Sequence, residues 1–366
     1  MAFKAIYLDH NATTPMRPEV REIMLEMLGF PGNASAVHKA GRLARQRIEE
    51  ARSRILRFVN ADDKAVLAFT SGATEANNLV LRGSGCARVI VSAIEHPSVL
   101  WAGSEGNVIP VLPTGVIDMD ALEEKLQGLD NQTLISVMYI NNETGVIQPI
   151  NQVMTLAKKY GALVHVDAVQ AAGKVDIDLQ ALGVDYMTLS AHKMGGPQGV
   201  GCVIASNCVS VAPQIFGGNQ EKNLRAGTEN LAAIAGFGLA AELCAQDNLA
   251  KTNEIRGYLE GKLQDIAPDI VFFGRDVVRA PNTSFFAVPN LSSETQLIAL
   301  DLAGICVSNG SACSSGTVKP SHVLKAMGVP DVLSQCALRV SLGVTTEKTE
   351  VDAFLAEWSK VYARRS

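Results

Sequence analysis

Short apolar runs alternate with apolar residues at three- and four-residue spacing through the first two thirds of the chain. Runs at 66–70, 88–92, 134–138 and 162–166 are continuous and short, which predicts strands buried on both faces. Between them, Ala44, Ile48, Ala51, Ile55 and Phe58 recur along one helical face. Lys158, Lys159, Tyr160 and Gly161 read as a helix end, with a basic last turn and a glycine stop. Strands alternating with helices predict an α/β domain around a mainly parallel sheet.

The last third has a different rhythm. A helix carrying Ile255, Leu259, Leu263 and Ile266 precedes apolar runs at 270–273 and 283–287, and a final amphipathic helix carries Val351, Phe354, Leu355, Trp358 and Val361. This pattern predicts a smaller α+β domain starting near residue 250; the division expected is residues 16–250 for the large domain and 1–15 with 251–366 for the small one. The Ala/Gly-rich stretch 231–243 reads as a buried helix, and no apolar run is long enough to span a bilayer.

Hydrophobic residues make up 47% of the 366 and charged ones 19%, so a folded soluble protein is expected. A net charge of −5 argues against nucleic acid or an anionic membrane as partner. Asp9 and His10 interrupt the N-terminus before an apolar signal region develops, making the cytoplasm the expected compartment. The seven cysteines are odd in number and lack a CxxC pair, which fits neither a disulfide framework nor a zinc site. No stable metal site is expected. Cys306, in an apolar run, reads as core, and inert packing is the expectation for Cys86, Cys202, Cys208, Cys244 and Cys336.

Four segments carry chemistry. Thr70, Ser71, Gly72, Ala73, Thr74 and Glu75 lie between a strand and a helix, where small residues let backbone N–H groups approach a phosphate. A turn capped by Ser71 or Thr74 explains them equally well. Asp167 follows a buried strand, where α/β sheets present ligand-binding groups, although capping of the next turn is the commoner use of such an aspartate. Lys193 sits between an apolar strand and a glycine-rich turn. An amine there is poorly placed for solvent and well placed for a Schiff base. Cys313 lies in a stretch of small polar residues, 308–316, the setting of an exposed, deliverable nucleophile.

Taken in order, the blocks at 7–15 and 70–75, Glu95-His96, and the blocks at 141–145, 165–170, 190–193 and 225–230 resemble the NifS/IscS-type cysteine desulfurases. These are class V members of the fold-type I pyridoxal-phosphate transferases, and the match runs from Tyr7 to about Trp358. The resemblance implies that L-cysteine becomes L-alanine while its sulfur passes to Cys313 as a persulfide. It implies that Lys193 holds pyridoxal 5'-phosphate, that His96 stacks on the ring and assists acid–base steps, and that Asp167 pairs with the pyridine nitrogen. Gln170 and Asn142 would meet the ring-hydroxyl side, with Ala73, Thr74, Ser190 and His192 at the phosphate. Thr228 would reach the phosphate from a neighbouring subunit, implying a homodimer. Arg339, helped by Asn33 and Asn142, would bind the substrate carboxylate. A scaffold protein of the IscU/NifU kind, or another sulfur acceptor, would be the partner, and a cluster would touch Cys313 only transiently. The Cys313 loop resembles the longer of the family's two loop types. Asn219 replaces a usual glycine, and Gln198 stands where many members carry lysine. Alternatives are a selenocysteine lyase, another class V lyase or aminotransferase, or a non-catalytic sulfur carrier; Cys313 sets the desulfurase apart from an aminotransferase.

Overall fold

The computed structural model describes residues 5–103, 106–128, 132–206, 209–310 and 320–365. In chain order its strands are β1 (Ile6–Tyr7), β2 (Val66–Thr70), β3 (Arg88–Ser92), β4 (Val108–Ile109), β5 (Thr133–Met138), β6 (Leu163–Asp167), β7 (Tyr186–Ser190), β8 (Gly201–Ala205), β9 (Val271–Phe272), β10 (Thr283–Ala287), β11 (Ile305–Cys306) and β12 (Ala337–Ser341). β2 to β8 form one seven-stranded sheet in the order β2-β8-β7-β6-β5-β3-β4. All its pairs are parallel except those of β8, which runs antiparallel to both β2 and β7. The sheet is therefore mainly parallel, as the alternating pattern predicts.

The apolar runs are strands because both faces are covered. Every residue of β5, β7 and β8 is buried. On one side lies Leu231–Cys244, the Ala/Gly-rich helix, whose small residues allow close approach to Lys39–Phe58. Gly238 shows how close: a Cβ there would come within 2.5 Å of the Ala51 backbone. The helix Ile150–Tyr160 ends at Gly161 in the left-handed conformation, φ 68°, as its basic last turn and glycine predict.

β8 reverses the sheet's direction because the β7–β8 connection is a short turn with no crossover helix. That turn carries Lys193. Parallel and antiparallel neighbours then align so that the ends of β2, β3, β5, β6 and β7 and the start of β8 share one edge of the sheet.

A second hydrophobic core gathers Leu8 with Leu259, Leu263, Phe286, Leu338, Val340, Phe354 and Trp358. It lies against the antiparallel sheet β12-β10-β9 and the parallel pair β1–β11. Alternation along β12 sends Leu338 and Val340 into this core and leaves Arg339 on the other face. Cys306, expected in the core, is half-buried on the short β11. Among the described residues, no helix is long and apolar enough to cross a membrane.

Candidate active site

The shared sheet edge opens into a cavity of about 590 Å³. Ala73, Thr74, His96, Asn142, Asp167, Gln170, Ser190, His192, Lys193 and Arg339 all line it. Asn33 and Thr228 are exposed and do not line it. Cys313 and Cys208 lie outside the described residues; Gly310, the last described residue before Cys313, lines the cavity.

Lys193 closes the helical turn Ala191–Lys193 that follows β7. Its Nζ donates to the main-chain oxygens of Asn11 (2.6 Å) and Ala12 (2.7 Å), which fix the amine at the cavity wall. Asp167 is the last residue of β6 and buried. Its Oδ2 accepts from Asn77 Nδ2 at 2.8 Å and its Oδ1 from the Val169 N–H at 3.1 Å. The aspartate thus serves its own turn and also presents a carboxylate to the cavity.

His96 Nδ1 accepts the Ser98 N–H at 3.1 Å, so the neutral ring carries its proton on Nε2. Burial holds its pKa below the usual value; nearby Asp167 pulls it up, and Lys193 and His322 push it down. His192 is hydrogen-bonded through Nδ1 to Thr13 Oγ1 at 3.1 Å. Burial, then Lys193, lowers its pKa to about 4, which keeps it neutral.

Helix Ala73–Gly83 begins at the cavity with Gly72 as its first half-helical residue and, among the described residues, no side chain capping it. Neither Ser71 nor Thr74 is the cap. Instead the Glu75 carboxylate takes the Ser71 N–H (2.8 Å) and Arg225 Nε (3.0 Å). The uncapped first turn, carrying the dipole's positive end, is left to an anion. Gly201 permits this closeness: a Cβ there would fall 2.7 Å from the Gly72 carbonyl carbon.

Arg339 is buried, with Nη2 on Asp9 Oδ1 (2.7 Å) and Nη1 on the Asn142 main-chain oxygen (2.9 Å). Its Nε is buried with no hydrogen-bond partner among the described residues. An unmet guanidinium donor beside the cavity suits a carboxylate ligand.

Several contributors escape a sequence reading. Asp9 and Asn11 belong to the first matched block but show no role there. Asn77 and Lys174 carry no motif. Glu95 is buried, with Oε1 accepting from Ser92 Oγ (2.5 Å) and the Met138 N–H (2.7 Å), while Oε2 has no hydrogen-bond partner among the described residues. Burial pushes its pKa up to about 8.

The aminotransferase class-V family model matches residues 6–354. Cysteine desulfurase IscS of Dictyoglomus turgidum is 39% identical over 95% of this chain and 92% of its own. A cysteine desulfurase of Sinorhizobium fredii is 40% identical, covering 96% and 95%. The X-ray structure of a NifS-like protein from Rickettsia africae superposes with a TM-score of 0.91 at 37% identity, over 98% of this chain and 99% of that one. Likeness of this extent, on a fold that gathers six of the seven matched blocks around one cavity, places the chain in the aminotransferase class-V family, among its cysteine desulfurases.

Proposed function

We propose that this chain converts L-cysteine to L-alanine and carries the released sulfur on Cys313 as a persulfide, for iron–sulfur cluster assembly or another sulfur acceptor. The family depends on pyridoxal phosphate, and the donor set fits it. Lys193 offers an amine for the aldehyde, Asp167 a carboxylate for the pyridine nitrogen, and the uncapped turn at Ala73 and Thr74, with Ser190 and His192, a seat for the phosphate. When bound, the cofactor supplies an electron-withdrawing ring that accepts the electron pair left as the substrate's Cα–H bond breaks.

The chain's own residues do the rest. Lys193 Nζ takes and returns the Cα proton. His96, neutral and protonated on Nε2, offers a donor beside the reacting atoms. Asn77 and the Val169 N–H keep the Asp167 carboxylate turned to its task. Arg339 receives the substrate carboxylate, its unmet Nε being the first donor available. The Cys313 thiol then attacks the substrate sulfur: the C–S bond breaks, an S–S bond forms, and the thiol proton is matched by one gained at carbon. Cysteine plus thiol gives alanine plus persulfide, with atoms balanced.

In this reading residues 1–15 and 251–366 form the smaller domain, which brings Arg339 and Cys313 to a cofactor held by residues 16–250. The working form would be a cytoplasmic homodimer, with Thr228 of each subunit completing the other's phosphate seat and Asn33 assisting at the carboxylate.

The observation that carries the proposal is the convergence of Lys193, Asp167, His96 and Arg339 on one cavity. The test is to incubate purified protein with L-cysteine and a reductant, and to measure sulfide and alanine. Wild type should release both in equal amounts. Cys313→Ala should keep the coloured cofactor yet release no sulfide, and Lys193→Ala should release neither product. Sulfide release unaltered in Cys313→Ala would overturn the assignment of the nucleophile.

A further inference from the structure

Lys174 is buried beside the cavity and, among the described residues, forms no ion pair with a carboxylate. Its Nζ donates to two side-chain amide oxygens, Asn11 Oδ1 (2.7 Å) and Gln170 Oε1. Beyond them the network runs on to Lys193, Asn142 and Arg339, which line the cavity. Gln170 Nε2 donates to the Asn11 main-chain oxygen (2.9 Å), the same oxygen that holds Lys193 Nζ. Asn11 Nδ2 donates to Thr283 Oγ1 (2.9 Å) and to the Asn142 main-chain oxygen (3.1 Å), which also accepts from Arg339.

The two ends of a primary amide have nearly the same shape and opposite hydrogen-bonding character, so its neighbours decide which way it faces. An amine held on two acceptors turns both amide oxygens toward it, and Asn282 Nδ2, donating to Asn11 Oδ1 at 3.0 Å, turns Asn11 the same way. We propose that Lys174 is a positioning residue whose amine fixes Gln170 and Asn11 oxygen-inward, so that Gln170 presents an N–H donor to an oxygen of the bound cofactor ring. The inference rests on the pyridoxal-phosphate reading of the cavity and adds to it the group that sets the polarity of one wall.

The role does not depend on the charge of Lys174, because a neutral amine still has two N–H groups for its two acceptors. Burial, reinforced by Lys193 and Arg339, holds its pKa well below the usual lysine value. An amine buried in this way costs stability, and a methionine of similar length avoids that cost. A purely structural lysine is therefore a poor choice here, and a lysine that orders the site is a reasonable one.

The test compares cofactor uptake by wild type, Lys174→Met, Gln170→Leu and the double variant. Each is stripped of cofactor and titrated with pyridoxal phosphate; affinity and the pH dependence of the visible absorption are recorded. Thermal melting of each apo form reports folding. Lys174→Met should melt no lower than wild type yet bind pyridoxal phosphate about tenfold more weakly, with a shifted absorption profile. The double variant should bind no worse than Gln170→Leu, because Lys174 acts through that amide. Wild-type affinity and absorption in Lys174→Met, or losses that multiply in the double variant, overturn the proposal. If Lys174→Met fails to fold, Lys174→Gln replaces it. Its amide nitrogen stands one bond short of the Nζ position, so it cannot hold both acceptors as the amine does; weaker binding is again expected, and wild-type affinity and absorption would again overturn the proposal. A wild-type protein that takes up no pyridoxal phosphate is a separate outcome, and it overturns the function as well.

Discussion

Glu95 and His96 are neighbours in sequence, and burial moves them in opposite directions: each is driven toward its uncharged form, which raises the acid and lowers the base. Glu95 titrates from 4.5 to about 8 on folding, so between those values the native state holds a proton that the unfolded chain has lost. Its contribution to stability is complete below 4.5 and fades as pH rises toward 8. Glu95→Gln, which resembles the protonated acid, should flatten that decline in a pH series of chemical denaturation. Two buried histidines act with the opposite sign. His165, between Ser136 Oγ (2.8 Å) and Thr188 Oγ1 (2.9 Å), is held near pKa 4 by burial. His10 also lies near 4, through burial and then Lys174. Between 6.5 and about 4 the unfolded chain binds protons these rings refuse, so stability should fall as pH drops through that window. Circular dichroism during acid titration checks this, and His165→Asn should reduce the slope. At this scale the sequence reveals the groups that bear motifs, such as Lys193, His96 and Asp167. Asn77, Asp9 and Lys174 are hidden because their importance lies in a partner 90, 330 or 163 residues away.

Among the elements, the buried strands were the most legible, since β2 and β3 fall where the continuous apolar runs predict. β6 starts and ends one residue later than expected, which brings Asp167 onto the strand itself. The helix Pro18–Leu28 leaves little trace in the sequence: only Val20 and Met27 are buried on it, too few to make a pattern. β8 is hard to see in the sequence because its first residue is the glycine that closes a glycine-rich turn. That glycine is required by space. In Gly201→Ala the new Cβ would crowd Gly72, Leu189 and Ala73 backbone atoms at 2.7–2.9 Å. Thermal or urea unfolding should show a loss of about 1–3 kcal/mol, and cofactor uptake should weaken because the uncapped helix start is displaced. Gly161→Ala, at a left-handed helix stop away from the cavity, should cost only about 1 kcal/mol and leave activity intact.

At the scale of the molecule, the largest core packs against the seven-stranded sheet and extends to Phe285 and Ala337, while another gathers Leu338 and Val340 from β12. The expectation that residues 1–15 go with the last third has a structural counterpart in these contacts: Ile6 pairs with Ile305, and Leu8 shares the second core with Phe354 and Trp358. Trp358 anchors that core, with its ring against Phe286 and Tyr362 and its N–H on Gln296 Oε1 at 2.9 Å. Trp358→Ala should destabilise the protein by about 3–5 kcal/mol in equilibrium unfolding. Because Arg339 hangs from the same strands, it should also raise KM for cysteine more than it lowers cofactor affinity. The central claim is that a thiol at position 313 collects sulfur released in this cavity. Mass spectrometry of the protein after brief exposure to L-cysteine without reductant tests it most directly. The account predicts one added sulfur atom on the peptide containing Cys313, absent from Lys193→Ala. Added sulfur on Cys306 or another cysteine instead, or sulfur on Cys313 that persists in Lys193→Ala, would contradict it.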